Sequence, residues 1–224
     1  DADERARYLS LMSQQSHRME TLVNDLLTLS RLEGSAAPSG NQWIRIRALL
    51  AQCEDEGRGL SGRLAAQGHR LSFSIDAESE ISGAPTELQS AMSNLLSNAI
   101  RYTPGGGEVA VSWRLLPDGR GEYAVRDTGP GIAAEHIPRL TERFYRIDRS
   151  RSRETGGTGL GLAIVKHIAQ RHGAELRIES TVGKGSRFAL VFPATRVREA
   201  RLSAAASEAS GASSSAAVRR TARP

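Results

Sequence analysis

The first 33 residues carry apolar side chains at the spacing of a long amphipathic helix. If Gln15 is counted, the positions are separated alternately by four and three residues, which is a heptad seam. The seam consists of Tyr8, Met12, Gln15, Met19, Leu22, Leu26 and Leu29. A helix of roughly 45–50 Å cannot bury such a stripe alone, so the pattern predicts partner helices in a bundle or a dimer. Gly34 is a suitable helix end, and residues 34–42 are predicted to be a linker.

The pattern then changes to that of a mixed α/β unit over residues 43–194. Its clearest helix is predicted at 85–102, because Pro85 favours a first helical turn and apolar residues recur along one face. Alternation of apolar and polar residues predicts strands at 43–47, 70–75, 108–115 and 122–126. The remaining predicted elements are a helix over about 48–67, a loop-rich stretch at 130–158, a helix at 160–171 and a closing hairpin of 175–180 and 186–192.

Composition narrows the class of protein. Hydrophobic residues make up 39% and charged residues 25%, which is ordinary for a globular chain. The longest apolar run is far short of the ~18–20 residues that span a bilayer. The single cysteine, Cys53, excludes a disulfide framework within these residues and is compatible with a reducing compartment.

The net charge of +5 is confined to two segments. Residues 195–224 contain six arginines and two glutamates, and residues 139–153 contain six arginines, one glutamate and one aspartate. The rest of the chain is slightly acidic. Residues 195–224 are rich in Ala, Ser and Arg, which predicts a disordered basic tail. Because lysines and arginines do not cluster on a predicted recognition helix, a nucleic-acid-binding function is disfavoured.

Two asparagines and one arginine share a face of the predicted helix 85–102. Asn94, Asn98 and Arg101 are spaced at i, i+4 and i+7. Amide oxygens can ligate Mg²⁺ while phosphates complete its shell, and a guanidinium can hold an anion. Taken alone, the same residues are better explained as an ordinary polar helix face.

Two glycine-rich segments suggest contacts with a nucleotide. Asp127 follows a predicted strand, where its carboxylate could accept a hydrogen bond from an exocyclic amine, while Gly129 and Gly131 would admit a flat ring. Gly156–Leu162 leads into a predicted helix, whose first N–H groups attract anions. The alternatives are an Asp-Gly turn and a flexible linker. Neither the dinucleotide fingerprint nor the Walker pattern is present.

Two further segments are weaker indicators. The basic residues 139–153 precede the second glycine run and would attract a polyphosphate, although a solvated charged loop is the simpler interpretation. Gly183–Phe188 is, by itself, only a glycine-containing hairpin turn. The sequence contains neither a zinc-type ligand cluster nor a Gly-x-Ser-x-Gly nucleophile elbow.

The order of these segments resembles the catalytic and ATP-binding domain of sensor histidine kinases. The N box is matched by Asn94–Pro104, the first glycine box by Asp127–Ile132, the F box by Arg143–Arg146, the second glycine box by Gly156–Leu162 and the last by Gly183–Phe188. The match covers residues 43–193. Residues 1–33 resemble the second helix of the dimerisation and phosphotransfer hairpin, and this stretch is most similar to phosphate-regulon sensor kinases.

The resemblance implies an α+β two-layer sandwich of the Bergerat or GHKL type, with a mixed sheet and helices on one face. A long helix of a dimeric four-helix bundle would precede it. The implied division is a hairpin helix at 1–33, a linker at 34–42, an ATP-binding domain at 43–194 and the tail at 195–224.

The resemblance also implies roles for individual residues in binding ATP and Mg²⁺. Asn98 would ligate Mg²⁺ with support from Asn94, and Arg101 and Tyr102 would hold the phosphates. Asp127 would accept from the adenine amino group, Gly129 and Gly131 would give the ring access, and Ser186 would reach the adenine directly or through water. The implied ATP-binding set is completed by Ile132, Phe144, Gly157, Thr158, Gly159, Leu160, Gly161 and Leu162, of which the glycines would shape the lid.

One departure from the family pattern concerns the phosphoacceptor. The His-Glu-Leu-Arg-Thr-Pro-like box of the first hairpin helix is missing, since His17 is followed by Arg18 and Met19. We therefore expect this chain to bind ATP–Mg²⁺ without phosphorylating itself. The resemblance implies a homodimer, a cognate response regulator as partner, and a cytoplasmic position within an inner-membrane sensor whose membrane segments lie outside these residues.

Two other functions remain as hypotheses. ATP hydrolases of the gyrase or mismatch-repair kind resemble the same fold but use a glutamate base four residues before the metal asparagine, where this chain has Asn94. A non-catalytic dimerisation module would use only the long helix and the tail. Magnesium-dependent ATP binding distinguishes the module from both enzymes.

Overall fold

A computed structural model describes residues 2–65, 67–147 and 157–200. These residues form four α-helices and eight strands. The helices are α1 (Ala2–Gly34), α2 (Ile46–Leu64), α3 (Pro85–Tyr102) and α4 (Gly161–Arg171). The strands are β1 (Trp43–Arg45), β2 (Arg70–Ile75), β3 (Ser79–Ser82), β4 (Glu108–Leu115), β5 (Gly121–Asp127), β6 (Glu175–Thr181), β7 (Gly185–Phe192) and β8 (Val197–Glu199).

Five strands form the main sheet, in the order β2-β4-β5-β7-β6. The β2–β4 pair is parallel and the other pairs are antiparallel. Register places Phe73, Val111, Val125, Phe188 and Ile178 in one row across the sheet. This row belongs to the apolar face that packs against the helices, so the core lies between one sheet face and the helix layer.

Helix α3 lies at the centre of that layer and has the predicted bounds. Proline occupies its first turn, and its apolar face is completely buried between the sheet and the other helices. The buried Tyr123 of β5 donates a hydrogen bond from its hydroxyl to the carbonyl oxygen of Met92, 3.2 Å away. The polar face of α3 is thereby held at a fixed angle to the sheet.

A second sheet of three antiparallel strands, β1-β3-β8, was only partly predicted. Strand β1 is shorter than the predicted 43–47, and α2 spans 46–64 rather than 48–67. The predicted tail boundary at residue 195 is wrong, because β8 pairs with β3 and buries Val197 in the core. The Arg198 guanidinium lies 4.0 Å from the centroid of the Trp43 ring and fastens β8 to β1. Residues 201–224, the rest of the predicted tail, lie outside the described residues.

The C-terminal part of α1 packs against α4 through Leu29 and Leu32, both of which are buried. Arg171 at the end of α4 fixes this contact. Its guanidinium donates to the carbonyl oxygens of Leu32 (2.9 Å), Ser35 (2.7 Å) and Ala36 (2.8 Å), and also pairs with Glu87 of α3. The carbonyl groups that a helix end leaves without intrahelical partners are thereby satisfied.

The predicted fold class is confirmed: a mixed sheet carries helices on one face, and a long helix precedes the unit. Much of the heptad seam of α1 is exposed, including Met12 at 66% and Met19 at 68%, so a partner helix stays a prediction. None of the described helices combines the length and apolar character needed to cross a bilayer.

Candidate nucleotide-binding site

The polar face of α3 presents its two asparagines toward the N-terminus of α4. Asn94 donates from Nδ2 to the carbonyl oxygen of Ser90 at 2.8 Å. Its Oδ1 lies next to Gly161, where a Cβ would come within 2.7 Å of that oxygen. Gly161 therefore permits close approach of α4 to α3. The side chain of Asn98 makes no hydrogen bond to any other described residue, so its amide oxygen remains available to a ligand.

Arg101 and Tyr102 follow on the same side of α3. Burial lowers the pKa of the Arg101 guanidinium, while the neighbouring Tyr102 and Asp25 raise it. The side chain remains a cation at neutral pH. The Tyr102 ring is half exposed, and its hydroxyl is 3.9 Å from the position that a Cβ on Gly157 would take. The predicted phosphate residues and the predicted lid glycine are therefore neighbours.

Asp127 lies at the end of β5 and is the best-defined acceptor of the site. Its Oδ1 accepts from the backbone N–H groups of Gly129 (2.8 Å) and Ser186 (3.3 Å). Its Oδ2 accepts no hydrogen bond from the described residues. Burial raises the pKa of the Asp127 carboxyl, while both N–H groups oppose this rise by stabilising the anion. One oxygen is therefore fixed by the protein and the other can accept from a ligand.

The hydroxyl of Ser186 is within hydrogen-bond distance of Ser180, a residue that was not predicted to belong to the site. Ser180 on β6 stands opposite Ser186 on β7, and their Oγ atoms are 2.9 Å apart. The Ser180 Oγ also accepts from the N–H of Ile132 (2.8 Å) and donates to the carbonyl oxygen of Gly185 (3.0 Å). Only the position of a polar residue on the inner face of β6, a face otherwise apolar, could have indicated this role.

The glycines of the first and last boxes allow close contact between the loop after β5 and the turn between β6 and β7. Gly131 has φ +71°, and a Cβ there would lie 2.1 Å from the Thr181 carbonyl oxygen. Gly185 has φ +107°, and a Cβ there would lie 2.0 Å from the Asp127 carbonyl oxygen. A Cβ on Gly129 would meet Asp127 Oδ1 at 2.8 Å. A Cβ at any of these three positions would therefore meet protein atoms, and access of a ring at Gly129 and Gly131 stays a prediction.

The described part of the lid is held by a contact between Phe144 and Gly159. Phe144 has φ +62°, rare for a residue with a side chain, and its N–H donates to the Gly159 carbonyl oxygen at 2.9 Å. Its ring is more than half exposed. Leu160 is completely buried and Ile132 and Leu162 pack against the core. A nucleotide contact at Leu160, Ile132 or Leu162 stays a prediction.

The basic character of the lid is partly neutralised by ion pairs. Arg139 pairs with Glu142 at 3.1 Å, and Arg143 pairs with Glu33 of α1. A further contact of the lid with α1 is a hydrogen bond, which Thr158 donates from Oγ1 to Asp25 Oδ2 at 2.6 Å. Gly156 and the arginines 149, 151 and 153 lie outside the described residues.

The residues that face the predicted metal position match the way proteins bind Mg²⁺ together with phosphates. No group of three or more His, Cys, Asp or Glu side chains in the described ranges could hold a metal ion. Mg²⁺ is commonly held by one or two protein ligands and by substrate phosphates. A single amide oxygen from Asn98 beside the cationic Arg101 fits that arrangement.

A separate groove of about 290 Å³ lies between α2 and α3. It is lined by Asn94 but by none of the other predicted site residues. Its remaining polar lining comes from Glu56, Arg63, Ser90, Ser93 and Ser97. The groove follows the side of α3 that faces α2, whereas Asp127 lies at the end of β5 and Ser186 near the start of β7.

Comparison with known proteins identifies the class. Residues 83–196, about half of the chain, match the family described as histidine kinase-, DNA gyrase B-, and HSP90-like ATPase, and the chain belongs to this family. Over 194 residues it is 46% identical to the phosphate regulon sensor protein PhoR of Pseudomonas aeruginosa, covering 87% of this chain and 43% of that protein. It is 38% identical to the sensor-like histidine kinase SenX3 of Mycolicibacterium smegmatis, covering 86% and 49%.

Solved structures give the same class. Full-length ShkA in complex with AMPPNP matches with a TM-score of 0.71 and 26% identity, covering 90% of this chain and 41% of ShkA. The mycobacterial sensor histidine kinase MprB matches with a TM-score of 0.58 and 26% identity, covering 68% and 96%. The chain spans less than half the length of the PhoR and SenX3 proteins it matches.

Proposed function

We propose that this chain binds ATP with Mg²⁺ and is the catalytic core of a sensor histidine kinase. The observation that carries the proposal is the arrangement around Asp127. One carboxylate oxygen is fixed by two backbone N–H groups, and the other is left as an acceptor at the C-terminal end of β5. An exocyclic amino group of a purine is the matching donor, and a charge-assisted hydrogen bond to it contributes about 1.5–3 kcal/mol.

The phosphates would lie between α3 and the N-terminus of α4. Asn98 would ligate Mg²⁺ through its amide oxygen, and Asn94 would support the position of α4 through its contact with Gly161. Arg101 would hold a phosphate oxygen with its guanidinium. The first N–H groups of α4 point toward the same region and favour negative charge. When bound, Mg²⁺ neutralises charge that develops on the phosphates during transfer.

The reaction would be an in-line transfer of the γ-phosphoryl group. A neutral imidazole nitrogen forms a bond to phosphorus while the bond to the bridging oxygen breaks, and ADP leaves with that oxygen. These 224 residues contain no phosphoacceptor box, so the histidine is expected from the first hairpin helix. The phosphoryl group would then pass to an aspartate of a response regulator.

The signalling pathway, the oligomeric state and the cellular location are proposed from the relatives and from the exposed face of α1. The similarity to PhoR of Pseudomonas aeruginosa favours phosphate-regulon signalling. The exposed heptad seam of α1 favours a homodimer completed by the first hairpin helix. The kinase core would work on the cytoplasmic side of a membrane-anchored sensor, where ATP is available.

A hydrolase function is the alternative within the same family. It would require a base that activates water near the γ-phosphate. Asn94 occupies the corresponding helix position, and its amide already donates to the backbone of its own helix. An amide cannot take a proton from water at neutral pH, so this arrangement favours the kinase.

Calorimetric titration with ATP, with and without Mg²⁺, tests the proposal. We expect binding that depends on Mg²⁺ and falls at least about tenfold in Asn98→Ala, since a metal ligand is lost. Asn41→Ala, an exposed asparagine in the linker, is the matched control and should bind like the parent. If titration of the parent with ATP–Mg²⁺ releases or absorbs no detectable heat, the proposal is contradicted. It is also contradicted if Asn98→Ala binds ATP–Mg²⁺ as tightly as the parent does.

The transfer step is tested with γ-labelled ATP. The chain alone should gain no acid-labile phosphohistidine, whereas a chain carrying the His-box helix should be labelled when mixed with it. Phosphohistidine on the isolated chain would show that the phosphoacceptor assignment is wrong. Release of inorganic phosphate by the isolated chain at a rate comparable to transfer would favour the hydrolase.

A further inference from the structure

Ser180 stands where the first and last glycine boxes meet. Asp127, Ser186 and Ser180 are paired across β5, β7 and β6, so they form one polar row at the edge of the apolar sheet face. The Ser180 Oγ has three polar neighbours within 3.0 Å: the N–H of Ile132, the carbonyl oxygen of Gly185 and the Oγ of Ser186. The proposed ATP contacts on this row are Asp127 and Ser186.

The hydrogens of this cluster can be assigned from its chemistry. A serine hydroxyl has one proton to donate and two lone pairs that accept. The N–H of Ile132 can only donate, so it uses one lone pair of Ser180. The Gly185 carbonyl oxygen can only accept, so it takes the Ser180 proton. All three contacts are hydrogen bonds at the same time only when Ser186 donates its own proton to the remaining lone pair of Ser180.

This assignment leaves Ser186 with lone pairs alone to offer a ligand. Its backbone N–H is already directed at Asp127 Oδ1. The free Oδ2 of Asp127 is also an acceptor. Two neighbouring acceptors, Ser186 Oγ and Asp127 Oδ2, therefore face the edge of the base. They match the amino group of a 6-amino purine, which donates hydrogen bonds. A 6-oxo purine presents its own acceptor there and would face unpaired lone pairs.

We propose that Ser180 is a positioning residue for base selectivity, which fixes the Ser186 hydroxyl as an acceptor and so favours amino-purine over oxo-purine triphosphates. The proposal rests on the proposed ATP-binding function. In Ser180→Ala the Ser186 proton loses its partner and becomes free to rotate toward the ligand. The site then gains a donor that can pair with the 6-oxo group.

The test is calorimetric titration of the folded chain with ATP–Mg²⁺ and GTP–Mg²⁺. We expect Ser180→Ala to lower the ratio of ATP to GTP affinity at least about fivefold, the effect of one hydrogen bond. Ser180→Thr retains the hydroxyl and suits a strand, so it should keep most of the selectivity. If Ser180→Ala does not fold, Ser180→Cys replaces it, because a thiol sulfur is a weak acceptor for the Ser186 proton and should also lower the ratio.

Ser79→Ala is the matched control. Ser79 is a buried serine whose Oγ accepts from the Trp113 indole N–H at 2.6 Å, in the other sheet. Its loss should lower the melting temperature while leaving the ratio unchanged. An unchanged ratio in Ser180→Ala, or an equal fall in Ser180→Thr or Ser79→Ala, would overturn the role of Ser180. Absence of ATP binding by the parent would instead overturn the proposed function, and this inference with it.

Discussion

The carboxylate of Asp25, on α1, accepts a hydrogen bond from the hydroxyl of Thr158, three residues before the start of α4, with 2.6 Å between Oδ2 and Oγ1. Asp25 also lowers the electrostatic potential at Arg101, the guanidinium assigned to the phosphates. Burial raises the pKa of the Asp25 carboxyl, and Thr158 and Arg101 oppose that rise. In this arrangement a negative charge of the long helix stands beside the proposed phosphate position.

Asp25→Asn is therefore predicted to strengthen binding of ATP–Mg²⁺. The amide keeps an acceptor for Thr158 and removes the charge that repels a triphosphate. We expect affinity to rise about two- to fivefold at low salt, the scale of a partly screened charge interaction, and less at high salt. Glu20→Gln, an exposed charge on the same helix, is the control and should have little effect. Weaker binding by Asp25→Asn would show that the carboxylate assists the nucleotide.

The two lid glycines are predicted to differ when each is changed to alanine. Gly159 has φ +77°, and a Cβ there would lie 3.0 Å from the Phe144 Cα, so Gly159→Ala strains the lid by about 1–2 kcal/mol. Among the described residues, a Cβ on Gly157 would meet no atom closer than 3.8 Å. We expect Gly159→Ala to weaken ATP binding and to lower the melting temperature by only a few degrees, and Gly157→Ala to resemble the parent in both. Equal loss of affinity in both variants would contradict the packing argument.

The stability of the chain is predicted to fall at acidic pH because of His172. This side chain is completely buried; its Nε2 accepts from the Ala84 N–H at 3.2 Å, and its Nδ1 lies 2.9 Å from the Ile168 carbonyl oxygen. Burial lowers the pKa of His172 below 6.5. The unfolded chain therefore binds the proton first as pH falls. The stabilisation is complete above pH 6.5 and is lost as pH falls through the folded pKa.

Chemical denaturation between pH 7.5 and 5 measures this effect. The slope contributed by one such histidine approaches about 1.4 kcal/mol per pH unit. His172→Gln should be less stable at pH 7.5 and should show a shallower pH dependence. His17→Gln, at an exposed position on α1, should follow the parent. Identical slopes in the parent and His172→Gln would exclude His172 as the source.

Local patterns of apolar and polar residues in the sequence predicted most strands of the main sheet and the helices that pack on it. Helix α3 has the predicted bounds because proline at its start and a regular apolar face act within a few residues. Strands β3 and β8 escaped prediction because each is short and carries a single buried apolar side chain, Ile81 and Val197. Their pairing joins residues more than a hundred positions apart, and no local pattern encodes that contact.

The sequence predicted which residues belong to the candidate site, but it predicted few of the contacts between them. Asn98 and Asp127 lie where a ligand could reach them, as the chemistry of their side chains indicated. Gly131 has a structural role that was not predicted, since its missing side chain makes room for the β6–β7 turn. Ser180 and Asp25 were missed because their partners come from distant segments, and only the fold brings these groups together.

The oxygen of Asp127 that accepts no bond from the described residues is proposed to accept a hydrogen bond from the amino group of adenine. Calorimetric titration of the parent and Asp127→Asn with ATP–Mg²⁺ and GTP–Mg²⁺ tests it directly. The parent should prefer ATP, and Asp127→Asn should lose at least about tenfold in ATP affinity, the loss of a charge-assisted hydrogen bond. Its melting temperature should stay close to that of the parent. Equal affinity of the parent for the two nucleotides, or undiminished ATP binding by Asp127→Asn, would contradict the account.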